Sequence, residues 1–222
     1  MEALRLSLSV ALRSVGWSLP LAIGVAWLLA RGRFPGRTLF DAAVHLPLVL
    51  PPVVVGYLLL VLFGARGPIG GWLERSFEVE LVFTRAGAAL ATAVMSFPLM
   101  VRAIRISLEH VDRGLEDAAR TLGAGPLDRF LTITLPLMLP GILAGAVTAF
   151  AAGLGEFGAV ITFVSNIPGE TRTLPLALYT ALQMPNGEAI AARLALISFS
   201  LGVLGLLAAE GVARVARRRL GS

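Results

Sequence analysis

Apolar positions along the 222 residues gather into long uncharged windows at 14–30, 42–65, 86–101, 130–155 and 194–209. A helix needs about 20 mostly apolar residues to cross roughly 30 Å of hydrocarbon, and a shorter window suffices when terminal arginines snorkel to the interface. The pattern therefore predicts an all-α integral membrane protein with five transmembrane helices in a single domain, 1–222. A sixth apolar stretch, 157–183, is interrupted by Asn166, Pro168, Glu170, Arg172 and Pro175 and reads as surface or re-entrant structure. Between the third and fourth windows lies an amphipathic polar stretch, 116–136.

Arg5 and Arg13 precede the first window as they would in a secretory signal. Seventeen uncharged residues are more than most signal h-regions have, however, and Arg31, Arg33 and Arg37 follow at once, so the segment reads as a retained helix. Composition agrees with a membrane chain: 56% of residues are hydrophobic, 15% are charged and the mean hydropathy is +0.81. With no cysteine there is neither a disulfide framework nor a thiolate metal site, and no metal centre is expected.

All nineteen basic residues are arginine, and the net charge is +5. They flank apolar windows rather than form a basic face interleaved with aromatics, so the charge points to membrane topology and not to nucleic acid. With 116–136 in the cytoplasm, segments 31–41, 102–129 and 210–222 hold 12 arginines in 52 residues, against 7 in 73 for the opposite side. The bias puts the N-terminus outside and the C-terminus inside.

Proline marks the irregular places. The second window opens with Leu46-Pro47-Leu48-Val49-Leu50-Pro51-Pro52, and each ring removes a donor and clashes with the preceding turn, so this end is not expected to be a plain helix. It reads either as a broken element near a gate or as a kinked interfacial loop. Gly141 and Gly145 have the small-xxx-small spacing that lets helix backbones approach, within or between subunits.

From Asp112 the polar stretch has the signs of a short helix, with a capping carboxylate followed by Glu116 and Asp117 where negative charge suits the helix dipole. Leu115, Ala118, Ala119 and Leu122 fall at i, i+3, i+4 and i+7 and make one apolar stripe, with Glu116, Asp117 and Arg120 elsewhere. Gly123 stands where a left-handed cap ends a helix, and Gly125-Pro126 begins another. Small alanines with flanking charges suit a plug for a partner's groove. An interfacial helix would carry Trp, Phe and a basic flank.

These residues also resemble a known family. Asp117-Ala118-Ala119, three residues, Gly123, nine residues and Ile133-Thr134-Leu135-Pro136 match the EAA loop of ABC-importer permeases at every spacing, with Asp117 in place of the usual Glu. The segments 45–56, 95–105, 155–159 and 169–175 are similar to molybdate-transporter permeases, and sulfate and thiosulfate permeases share parts of the pattern. The resemblance implies a type I ABC-importer (MetI-like) permease core in a bacterial inner membrane, surrounded by lipid and assembled with a second copy of itself. It further implies two ATPase subunits holding ATP and Mg, and an external molybdate-binding protein. The coupling loop would be 106–135, with Leu115, Glu116, Asp117, Ala118, Ala119, Arg120, Leu122 and Gly123 facing the ATPase. The chain itself lacks GxxxxGK[ST] and is not expected to be an enzyme or to hold a cofactor.

A tetrahedral dianion must be released as well as bound, which suits a pathway of neutral donors. Ser96, Thr148, Thr162 and Ser165 are candidates, although each also suits an ordinary interhelical hydrogen bond. Pro51, Pro52 and Glu156 are gate candidates, with Glu156 expected either to pair with Arg172 or to cap broken backbone. His45 reads as an interfacial histidine, and Arg102 and Arg105 as positive-inside anchors. Sulfate, thiosulfate or tungstate remain alternative cargoes. An intramembrane enzyme is the alternative of another class, but Ser96 and Glu156 have no evident base partner.

Overall fold

The computed structural model describes residues 2–219, and every regular element in that range is helical. In chain order the elements are α1 Glu2–Arg31, α2 Arg37–Val49, α3 Pro52–Phe63, α4 Gly70–Phe77, α5 Arg85–Glu109 and α6 Arg113–Thr121. There follow α7 Pro126–Arg129, a π turn Phe130–Thr134, α8 Leu135–Leu154, α9 Gly158–Val164, α10 Leu174–Leu182 and α11 Glu188–Arg219. The side chains of Arg217, Arg218 and Arg219, part of the positive-inside count, lie outside the described residues.

Among the described residues, four stretches are long and apolar enough to cross a membrane: Glu2–Arg31, Arg85–Glu109, Pro126–Leu154 and Glu188–Gly211. The pair α2 and α3 makes a fifth only if counted as one span, because it bends by 115°. The bend is narrower than the proline run suggests. Pro47 is accommodated inside α2, and the break comes where Leu50 turns extended (ψ 143°) before Pro51, with Pro52 opening α3. There its missing N–H costs nothing.

Helix α5 is the central element, lying along α1 on one side and α8 on another. It carries small buried residues toward one end (Ala88, Ala89, Ala91, Thr92) and larger ones toward the other (Met100, Val101, Ile104, Leu108). The three alanines join a core with Val55, Leu59, Val160, Phe163 and Leu176; the second group joins Ala22, Ala26, Leu29, Met138 and Ile142. Helix α1 contributes to both cores, through Leu6 and Val10 to the first and through Ala22, Ala26 and Leu29 to the second. Outward faces carry exposed apolar side chains such as Trp17, Phe199 and Leu206.

Of the two readings of 157–183, surface or re-entrant structure, burial excludes the first. Ala159, Val160, Phe163 and Val164 of α9 and Leu174 and Leu176 of α10 are buried, with α9 against α3 and α10 against α11. The interrupting polar residues are used locally, the Arg172 Nε donating to Asn166 Oδ1 at 2.9 Å and Asn166 Nδ2 to Thr180 Oγ1 at 2.7 Å.

Both small residues on α8 pack within the subunit. A Cβ at Gly141 would lie 3.0 Å from the Ala103 carbonyl oxygen and closer still to Ser107, and one at Gly145 would lie 3.2 Å from Ala103 Cβ and from the Met100 carbonyl oxygen. Backbone cannot retreat as a flexible side chain can. Gly141→Leu is therefore expected to separate α8 from α5 and destabilise the fold by about 1–3 kcal/mol. Thermal unfolding in detergent would measure this, and a melting temperature equal to wild type would refute the packing.

Candidate functional site

The stretch between α5 and α8 builds a short, firmly capped helix. The Asp112 carboxylate accepts the Gly114 N–H at 2.8 Å, satisfying a first-turn donor of α6. At the other end Gly123 has φ +89°, the Gly123 N–H donates to the Arg120 carbonyl at 3.1 Å and the Ala124 N–H to the Ala119 carbonyl at 3.0 Å. Those two bonds are the Schellman arrangement, which requires the left-handed residue supplied by Gly123. Gly125 and Pro126 then open α7 as expected.

The apolar stripe faces outward. Leu122 is 88% exposed and Leu115 48%, Ala118 is exposed and Ala119 half-buried. Asp117 and Arg120 are also exposed, and Asp117 makes no hydrogen bond or ion pair among the described residues; the capping carboxylate is Asp112. Glu116 differs from its neighbours. Its Oε1 accepts the Thr134 hydroxyl at 2.8 Å and contacts Arg31 Nη2 at 3.4 Å, so it turns toward its own chain. No spacing in the sequence signals a partner 85 residues away, and Arg31 reads there only as a flanking charge.

Some of the gate candidates converge and others do not. A Cβ at Gly158 would lie 2.7 Å from Pro52 Cβ, and one at Gly56 2.8 Å from Thr162 Cβ, so Pro52, Thr162 and the segment after Glu156 meet where α3 packs on α9. Pro51 and Pro52 are exposed at the 115° bend. Glu156 Oε1 accepts the Ala159 N–H at 2.9 Å, capping α9, while Arg172 is turned to Asn166. Of the two roles expected for Glu156, the structure has the cap. Ser165 sits apart at the far end of α9, exposed and with φ +63°. Ser96 is buried on α5 and donates to the Thr92 carbonyl at 2.9 Å, Thr162 donates to the Gly158 carbonyl at 2.8 Å, and Thr148 is exposed on α8.

A cleft of about 570 Å³ between α2 and α5 is lined by Thr38, Asp41, His45, Arg102, Arg105 and Glu109. Arg105 bridges Asp41 (2.8 Å) and Glu109 (2.9 Å), and His45 Nδ1 is 3.1 Å from Asp41 Oδ1. Arg105 is therefore an ion-paired tether of α2, a use beyond that of a flanking charge.

Removing the N-cap isolates its contribution. Asp112→Ala is expected to destabilise α6 by about 1 kcal/mol, read as faster hydrogen exchange across its first turn, whereas Asp112→Ser keeps the protection; equal exchange in the alanine variant would count against the cap.

The family of binding-protein-dependent transport system inner membrane components matches residues 18–218. The chain is 61% identical over 220 residues to the molybdenum transport system permease protein ModB of Escherichia coli K12, covering 99% of this chain and 96% of that protein. The corresponding Haemophilus influenzae protein is 56% identical over the same shares. The sulfate transport system permease protein CysT of Escherichia coli K12 is 40% identical over 81% of this chain and 67% of its own length. Among solved structures, the MetNI methionine ABC transporter in inward-facing conformations superposes with TM-score 0.74 at 17% identity, covering 96% of this chain and 94% of that one. A bacterial alginate ABC transporter superposes with TM-score 0.73 at 17% identity, over 98% of this chain and 78% of that one. The two superpositions establish a shared fold, and the sequence matches run nearly end to end: the chain belongs to the family of binding-protein-dependent transport system inner membrane components.

Proposed function

We propose that this chain is the permease subunit of an ABC importer for molybdate in a bacterial inner membrane. Its 61% identity over 99% of its length to a molybdenum transport permease carries the reading. The exposed stripe on α6 supports the coupling role, because a short helix capped at both ends and apolar on its open face is suited to seating in a partner's groove. ATP and Mg belong to that partner, two copies of which would engage two copies of this chain.

A five-span topology with the N-terminus outside is favoured by how the helix ends group. Ser7 near the start of α1, Arg85 at the start of α5 and the segment 165–174 share one end, where the Ser7 hydroxyl accepts the Leu174 N–H at 2.7 Å and Arg85 donates to the Gly169 carbonyl. Arg31, the end of α5 and α6 share the other. With α6 in the cytoplasm, the first end faces out, and lipid covers the exposed Trp17, Phe199 and Leu206.

For the pathway, Ser96 and Thr162 already donate to helix carbonyls, whereas Thr148 and Ser165 make no side-chain hydrogen bond among the described residues. The latter two hydroxyls are better able to donate to an oxyanion. The junction of α3 with α9, near Pro52 and Glu156, is the gate candidate, since both chain breaks meet there. Closure of the ATPase dimer would move α6 and the spans with it as alternating access.

The test is uptake of labelled molybdate by proteoliposomes containing this chain, its ATPase subunit and the molybdate-binding protein, with sulfate and tungstate as competitors. Sulfate is the second reading, favoured by the 40% identity to a sulfate permease. Molybdate accumulation that depends on ATP and resists excess sulfate is expected; preferential sulfate uptake would reassign the cargo. Gly123→Val, which puts a β-branched residue at φ +89°, is expected to abolish uptake, and normal uptake in that variant would remove α6 from the coupling path.

A further inference from the structure

We infer that Arg31, Glu116 and Thr134 form a polar joint that makes α6 one rigid piece with three spans, so that Glu116 serves the permease from within. This rests on the importer reading above. Arg31 is the last residue of α1, and its Nη2 donates to the Val111 carbonyl at 3.2 Å and the Leu108 carbonyl at 3.4 Å, at and beyond the end of α5. The same nitrogen contacts Glu116 on α6, and the carboxylate oxygen it meets accepts the Thr134 hydroxyl at 2.8 Å. Thr134 closes the π turn that leads into α8. Arg31 and this one carboxylate together link the ends of α1 and α5, the helix α6 and the π turn that leads into α8.

Burial makes the linkage stiff. The Arg31 side chain is 12% exposed and that of Glu116 23%, while Thr134 is 2% exposed. A guanidinium so enclosed needs its carboxylate, because an unpaired buried charge is far costlier than an exposed one. Its position also suits the negative end of the α5 helix dipole. A π turn inside a helix is uncommon and tends to mark functional places. Here it ends on the hydroxyl that completes the joint.

The joint and the stripe divide the labour of α6. Leu115, Ala118 and Leu122 stay open to a partner, and Glu116 anchors the helix to its own body. A push on the stripe is then felt by α1, α5 and α8 together, since packed cores shift as units and do not deform continuously. Glu116 and Arg31 act as positioning residues, touching neither nucleotide nor cargo.

The reconstituted complex with its ATPase and binding protein allows a direct test through molybdate transported per ATP hydrolysed. Glu116→Ala and Arg31→Ala are expected to keep the ATPase bound and active while this ratio falls roughly tenfold. Thr134→Val, which loses one hydrogen bond and no charge, should lower it roughly threefold, and Thr134→Ser should restore it. Thr134→Val supplies the reading if the charged variants do not fold. A wild-type ratio in Thr134→Val would overturn the joint, and so would loss of the ATPase from Glu116→Ala with retention in Arg31→Ala, which would assign Glu116 to docking. Wild-type complex that hydrolyses ATP without accumulating molybdate would instead defeat the importer reading.

Discussion

A backbone N–H or carbonyl left unpaired in hydrocarbon costs several kcal/mol, and this requirement governs the whole chain. Long helices meet it without help. The breaks meet it with side chains: Glu156 caps α9, the Thr171 hydroxyl accepts the Ile167 N–H at 2.9 Å and donates to the Ser165 carbonyl at 3.1 Å, and Ser7 of α1 receives the first N–H of α10. Irregular backbone occurs where a neighbour supplies the missing partner, so these polar residues indicate where the chain has been allowed to depart from helix. A transporter needs such departures, because an uninterrupted bundle has no place to open.

Between the breaks, packing rests on small residues. Gly141 and Gly145 bring α8 against α5, and Ala22 and Ala26 bring α1 into the same core, at separations larger side chains would not permit. Lipid tails are as apolar as leucine, so close van der Waals contact replaces the hydrophobic drive available in water. Helix α2 is the exception. None of its side chains is buried, and it is held to α5 through the Asp41–Arg105–Glu109 network near its start, with the Pro51 break at its other end. An element hinged at one end and tethered by ion pairs at the other is suited to movement in a way that α5 is not.

The end of the molecule bearing α6 combines both principles. Asp112 and the Schellman turn at Gly123 make α6 a defined object despite its nine residues, and Glu116 joins it to the body. The outward charges and most of the apolar stripe remain exposed. Asp117, which stands where the resemblance has Glu, lies on the open face and makes no hydrogen bond or ion pair among the described residues.

Features that depend on neighbours a few residues apart are legible without a fold. Hydrophobic windows specified the long helices because spanning is a matter of length and apolarity, and the stripe 115–122, the cap at Asp112 and the stop at Gly123 followed from helical periodicity. The loop, matched at every spacing, carried the resemblance to the family. Tertiary structure decided the rest: that the helix break falls at Leu50 and spares Pro47, that 157–183 is interior, that Glu156 caps α9 while Arg172 turns to Asn166, and that Glu116 meets Arg31 and Thr134. Each of these is a pairing of groups whose separation in the chain carries no periodic signal, or a choice among local options that only a packed neighbour resolves. Composition foretold that arginines would lie at the ends of spans; folding alone gave one of them, Arg31, a carboxylate to hold.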